Sequence, residues 1–156
     1  MSLYGLRNTK RFFEYQLPVV LWLFSIFFFS TDTFSSNETS RIIVPVLKFL
    51  FPSFSYDQIE FWHAVIRKLA HIAEYAILAL LAYRCFKYGQ LDLTSARLRT
   101  ITFVLMAALL DEWHQQFTAF RGSSIVDVGY DCLGGVWSLG LIRVYETWRI
   151  RSHSIL

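Results

Sequence analysis

Between Arg67 and Asp131 a dense set of polar and ionisable side chains is embedded in segments otherwise apolar enough to span a bilayer. They are Arg67, Lys68, His71 and Glu74, then Asp111, Glu112, His114 and Gln115, then Arg121, Asp127 and Asp131. Charged groups in hydrocarbon are costly unless they pair or line a wet cavity, so they mark a working site by default. Composition excludes a water-soluble alternative. The 156 residues are 54% hydrophobic, 18% aromatic and only 17% charged, with a mean hydropathy of +0.39, which is too apolar for a soluble domain of this size. The net charge of +3 does not argue for nucleic acid, because the basic residues sit at the ends of apolar segments, where membrane topology accounts for them. Cys85 and Cys132 have no CxxC or Cys/His ligand spacing and are read as neither disulfide nor metal ligands.

A single all-α membrane domain over residues 1–156 is expected, with spans at about 12–30, 59–86, 98–117 and 124–148. Arg7, Lys10 and Arg11 precede the first apolar run, and Pro18 suits the first turn of its helix. The residues after that run offer no A-x-A cleavage site, which favours an uncleaved span over a signal peptide. Thr31 to Glu38 reads as a polar loop. Arg41 to Phe51 is apolar but short, with Pro45 inside it, and is expected as an interfacial or re-entrant helix. Basic residues at the N-terminus, around Arg84 to Arg99 and after Arg143 place those three regions on the cytoplasmic side, so the four-helix bundle is expected with both ends inside. Trp22, Tyr56, Trp62, Trp113, Tyr145 and Trp148 are expected as interface anchors.

Helical periodicity then gathers the polar residues. Lys68, His71 and Tyr75 share one face of the second span, with Arg67 and Glu74 beside it, while Asp111 and Gln115 align at the end of the third. Ser124, Asp127, Asp131, Gly134 and Ser138 form a narrow strip on the fourth, small enough for close helix approach. Three helices therefore aim polar faces at one outward-facing pocket. Structural readings stand beside this one. Lys68 and Arg67 would neutralise neighbouring acids, His71 would make a helix-to-helix hydrogen bond, Asp127 would favour a helix N-terminus, and His114 would sit at the interface. About eight groups in one place exceed what a structural ion pair needs.

Lys68-x-x-His71-x-x-x-Tyr75, Asp111-Glu112-x-x-Gln115-x-Phe117-x-x-x-Arg121 and Asp127-x-x-x-Asp131-x-x-Gly134 occur in this order on successive spans, and this resembles the VanZ-like family. The motifs cover Lys68 to Gly140. The first 60 residues resemble it only as an apolar helix followed by a Ser-rich stretch. Asp131 stands where many members have Asn, which leaves a bound cation and a protonated acid as alternatives. The resemblance implies a multi-pass protein of the bacterial cytoplasmic membrane, in a family named after a member associated with resistance to the glycopeptide teicoplanin.

The expected function is action on a lipid-linked or phospholipid headgroup, as a hydrolase or transferase. His71 would serve as base or nucleophile with Glu74, Asp111, Gln115 and Asp127. Lys68, Tyr75, Glu112, Arg121 and Asp131 would bind substrate, Lys68 and Arg121 contacting phosphate. The oxygen-rich donor set suits a divalent cation such as Mg, Mn or Ca, and the histidines keep zinc open. The alternative is a non-catalytic protein that binds membrane lipid, an envelope precursor, a glycopeptide antibiotic or a protein partner. A transporter is disfavoured by the lack of an inverted repeat.

Overall fold

The computed structural model describes residues 9–88, 92–119 and 123–153, and among them the chain is helical with no strand. A π-helical turn, Phe12–Gln16, leads into α1, Leu17–Phe29. A 3₁₀ turn, Asp32–Phe34, is followed by α2, Ser36–Leu50. Three long helices complete the chain: α3, Tyr56–Tyr88; α4, Leu93–Gln115; and α5, Ile125–His153.

Among the described residues three helical stretches are long and apolar enough to cross a membrane: Thr9–Phe29, Leu93–Gln115 and Ile125–Ser152. Their outer faces carry exposed Phe24, Phe28, Leu98, Leu109, Leu133 and Val144, the inverse of a soluble helix and the pattern that lipid requires. The 33 residues of α3 extend about 50 Å. This helix differs from the other three in carrying Arg67, Lys68 and Glu74 near its middle.

α3 is the hub, packing most extensively on α5 and also on α4, α1 and α2. Its contacts with α5 advance together along both helices. Lys68 meets Asp127, His71 meets Asp131, and Tyr83 meets Glu146. The two helices therefore run parallel, with α4 returning between them. Gly134 sets their closest approach. A Cβ there would lie 2.2 Å from the Ile72 carbonyl oxygen, so only glycine lets the backbones meet at this point. Tyr75, Leu78, Ala79, Val104, Ala107, Ala108 and Val128 fill the core beneath.

The second helix departs from expectation. The stretch read as a polar loop to Glu38 is already helical from Ser36. Ser35 caps it by accepting from the Glu38 backbone N–H at 3.4 Å, and Ser35-x-x-Glu38 is the spacing of a capping box. Pro45 is accommodated inside it. Leu47 is buried while Ile42, Val46, Phe49 and Leu50 stay exposed, giving an amphipathic helix laid against α3. Trp22 is not a free interface anchor. Its indole N–H donates to the Glu74 carbonyl at 2.8 Å and ties α1 to α3.

Candidate functional site

Residues spaced three or four apart share a helix face, and this delivers the polar side chains of α3 to α5 in successive layers. In the first layer Lys68 is ion-paired with Asp127, its ammonium also standing 5.4 Å from the centre of the Tyr130 ring. One turn further along, His71 Nδ1 lies 3.2 Å from Asp131 Oδ1. Asp131 is completely buried.

Asp111 approaches the same point from α4. One ligating atom from each of His71, Asp111 and Asp131 falls within 4.8 Å of the others. Gln115, one turn on, donates its amide to Asp111 Oδ2 at 3.1 Å. Two further buried polar atoms, Asp131 Oδ2 and the Tyr75 hydroxyl, have no hydrogen-bond partner among the described residues. Tyr75 feels the charges of Asp111, Asp131, Glu74 and Glu112 but is itself fully buried. Its hydroxyl therefore lies inside the bundle beside these acids and off the cavity wall.

The layer opens into a cavity of about 250 Å³ whose polar wall includes Arg67, His71, Glu74 and Asp111. The remaining wall is Ile66 and Ala70 of α3, Ile26, Phe29 and Ser30 at the end of α1, and Thr39 and Ile43 of α2, with Phe34 between the last two groups. Ser30 is buried and its hydroxyl has no partner among the described residues. Arg67 fastens the roof, donating to the Phe34 carbonyl at 3.1 Å and to the Thr39 hydroxyl at 3.0 Å. Thr39 also stands 3.2 Å from His63 Nε2.

The remaining expected residues divide. Glu112 does not face the cavity. Its carboxylate accepts from the Ser124 backbone N–H at 2.6 Å and pins the start of α5. His114 packs edge-on against Phe27, with ring centres 6.1 Å apart. Arg121 lies outside the described residues. Lys68 and Asp127 stand one layer from the cavity rather than on its wall. Sequence reasoning assigned no site role to Arg67, Ser30 or Thr39. Arg67 belonged to the polar run and Ser30 to the Ser-rich stretch, but their convergence is a tertiary contact. For Thr39 the only local signal was the helical spacing Thr39, Ile43, Leu47.

These features define an all-helical membrane protein with a histidine and several carboxylates gathered at a cavity between its helices. The VanZ/LLP1 family model matches residues 16–146, which is most of the chain, and the protein belongs to that family. No curated protein and no solved structure matches the chain.

Proposed function

We propose that this VanZ-like protein binds the phosphate-bearing headgroup of an envelope lipid in the cavity and acts on it as a hydrolase or transferase, with a divalent cation held by His71, Asp111 and Asp131. The convergence of those three ligating atoms within 4.8 Å carries the proposal. Two carboxylates and an imidazole suit Mg, Mn or Zn. Such an ion polarises a phosphoryl oxygen and lowers the pKa of bound water. The chain supplies the rest. Arg67 lines the wall as a cation near which a phosphate would sit, while its Nη1 stays on the Phe34 carbonyl and the Thr39 hydroxyl. Glu74 borders the same space as a candidate proton acceptor, and Gln115 orients Asp111. Ile26, Phe29, Ile43 and Ile66 provide an apolar surface suited to the lipid end of the substrate.

Topology completes this reading. With α3 as a fourth span, the basic residues Arg84, Lys87, Arg97 and Arg99 and the tail Arg149 and Arg151 fall at one end, which the positive-inside rule assigns to the cytoplasm. The cavity then opens toward the outer leaflet of the bacterial cytoplasmic membrane. That is where envelope precursors and teicoplanin, the antibiotic associated with the family, are met.

The apolar wall favours a second reading, in which the protein binds lipid without turning it over. One set of measurements separates the two. Purified wild type should retain about one divalent ion per chain, lose it to a chelator and release product from a phosphate-containing lipid. His71→Gln, Asp111→Asn and Asp131→Asn should lower turnover by about 10²- to 10⁴-fold while melting within a few degrees of wild type. Lipid retained without turnover selects the binding reading. Unfolding of every variant, with no metal and no lipid on wild type, leaves only a structural network.

A further inference from the structure

A second cavity, of about 720 Å³, lies at the opposite end of the helices, where α3 ends, α4 begins and α5 finishes. Its wall contains three cations, Arg84, Lys87 and Arg149, and one acid, Glu146. That acid is already committed. It accepts from the Tyr83 hydroxyl at 2.8 Å and from Arg97 at 2.8 Å, and it is ion-paired with Lys87. Arg84 and Arg149 have no ion pair among the described residues, and both are exposed. Arg84 stands over the Tyr15 ring, 6.0 Å from its centre.

The floor of this groove is apolar, formed by Leu80 and Ile142 among others. Tyr145 lies on its edge, with its ring centre 6.4 Å from that of Trp148. Exposed aromatics beside cations, at the end of a membrane helix, mark the headgroup level. Uncompensated cations above an apolar floor match an anionic headgroup that continues into acyl chain, whereas a soluble anion would leave the floor unused. Basic pockets between membrane helices recognise anionic lipids in this way.

We infer that the groove is a binding site for an anionic glycerophospholipid of the adjacent leaflet, with Arg84 and Arg149 holding the phosphate and the acyl chain lying along Leu80 and Ile142. This site is separate from the histidine–carboxylate cavity, and its occupant is a structural or regulatory lipid rather than the substrate proposed there.

The test uses the full chain, delipidated in mild detergent and melted with added phosphatidylglycerol, phosphatidylcholine or inorganic phosphate. Phosphatidylglycerol should raise Tm by several degrees and the other two should not. Replacing both Arg84 and Arg149 by Gln should weaken phosphatidylglycerol binding by about 30-fold, at roughly fivefold per cation, without altering the melt in phosphatidylcholine. His71→Gln should leave the effect intact, which separates this site from the outer cavity. Should the double variant fail to fold, native mass spectrometry of the exposed single variant Arg149→Gln gives the same reading, with loss of bound phosphatidylglycerol expected. An equal shift with phosphatidylcholine, a shift reproduced by inorganic phosphate, or undiminished phosphatidylglycerol binding by the arginine variants would overturn the inference.

Discussion

The two ends of the helix bundle treat their carboxylates in opposite ways. At the basic end Glu146 is satisfied on both oxygens, by Tyr83 and Lys87 on one and Arg97 on the other. At the other end Lys68 pairs with Asp127 and His71 with Asp131, Asp111 stands close to both His71 and Asp131, and Asp131 Oδ2 keeps no partner among the described residues. Burial penalises a polar group unless its hydrogen bonds are made. The Glu146 carboxylate meets that condition within the chain, while Arg97 Nε beside it has no hydrogen-bond partner among the described residues. The Asp131 cluster does not meet it, and its spare lone pairs are what a cation, a proton or a ligand would use.

The largest way to break this contrast is through Gly134, which lies between the two ends and sets the α3–α5 spacing. In Gly134→Ala the new methyl would meet the Ile72 backbone at 2.2 Å, and backbone cannot yield as a flexible side chain does. A loss of about 3 kcal/mol is expected, at the upper end of overpacking costs. Gly140, on the same helix, has open space within 4 Å of the point where a methyl would stand. There the alanine should be neutral or stabilise by about 0.5–1 kcal/mol through helix propensity. Equilibrium unfolding in detergent measures both. Because His71 and Asp131 sit within a turn of the contact, Gly134→Ala should also weaken the metal retention proposed for the site, while Gly140→Ala should leave it unchanged. Equal stability of the two variants would mean that the helices do not cross where Gly134 places them.

Much of this arrangement follows from helical periodicity, and the part that does not is tertiary. Lys68 and His71 on one helix and Asp127 and Asp131 on another are each about one turn apart, so parallel helices in register pair them two by two. Spacing alone placed them on facing strips. The cavity roof was not legible because it depends on how α2 folds back onto α3. Ser36 to Glu38 reads as loop from its polar composition, and only the Ser35–Glu38 cap reveals that the helix begins there. Arg67 then reaches Thr39 and Phe34, 28 and 33 residues away, contacts that no local pattern encodes. Trp22 shows the same limit. An aromatic in an apolar run suggests an anchor, yet its N–H is used on the Glu74 carbonyl.

A smaller effect sharpens the comparison from the closed end. Glu146→Gln keeps the shape and an acceptor oxygen but removes the charge shared by Lys87 and Arg97. Charge-assisted hydrogen bonds are roughly twice as strong as neutral ones, so a loss of about 1–2 kcal/mol is expected, read as a lowered Tm. The Asp131 cluster should respond in the opposite manner. Asp131→Asn keeps an acceptor for His71 and removes a carboxylate whose Oδ2 has no partner among the described residues, so it should cost little stability, although it lowers the proposed activity. If Asp131→Asn proves the more destabilising of the two, the open cluster is structural and the contrast fails.

The smallest effect comes from an acid that is hydrogen-bonded but not buried, and it separates bonding from burial. Asp92 caps α4, its Oδ1 accepting from the Thr94 and Ser95 backbone N–H groups at 2.9 Å each. The Ser95 side chain and then its backbone N–H hold the Asp92 carboxyl below its ordinary range. A carboxylate with a depressed folded-state pKa adds stability that is fully present above its unfolded value, about 3.9, and is lost as pH falls through the folded one. Between about pH 5 and pH 7 the cap should therefore contribute a constant amount, declining only below about pH 4. Asn caps a helix as well as Asp does but does not titrate, so the difference in Tm between wild type and Asp92→Asn, followed from about pH 7 to pH 3, isolates this one group from the other acids. It should stay flat down to about pH 4 and then shift against wild type. A difference that instead changed near neutral pH would mean that the Asp92 carboxyl is raised rather than held below its ordinary range, and that the cap hydrogen bonds do not set its titration.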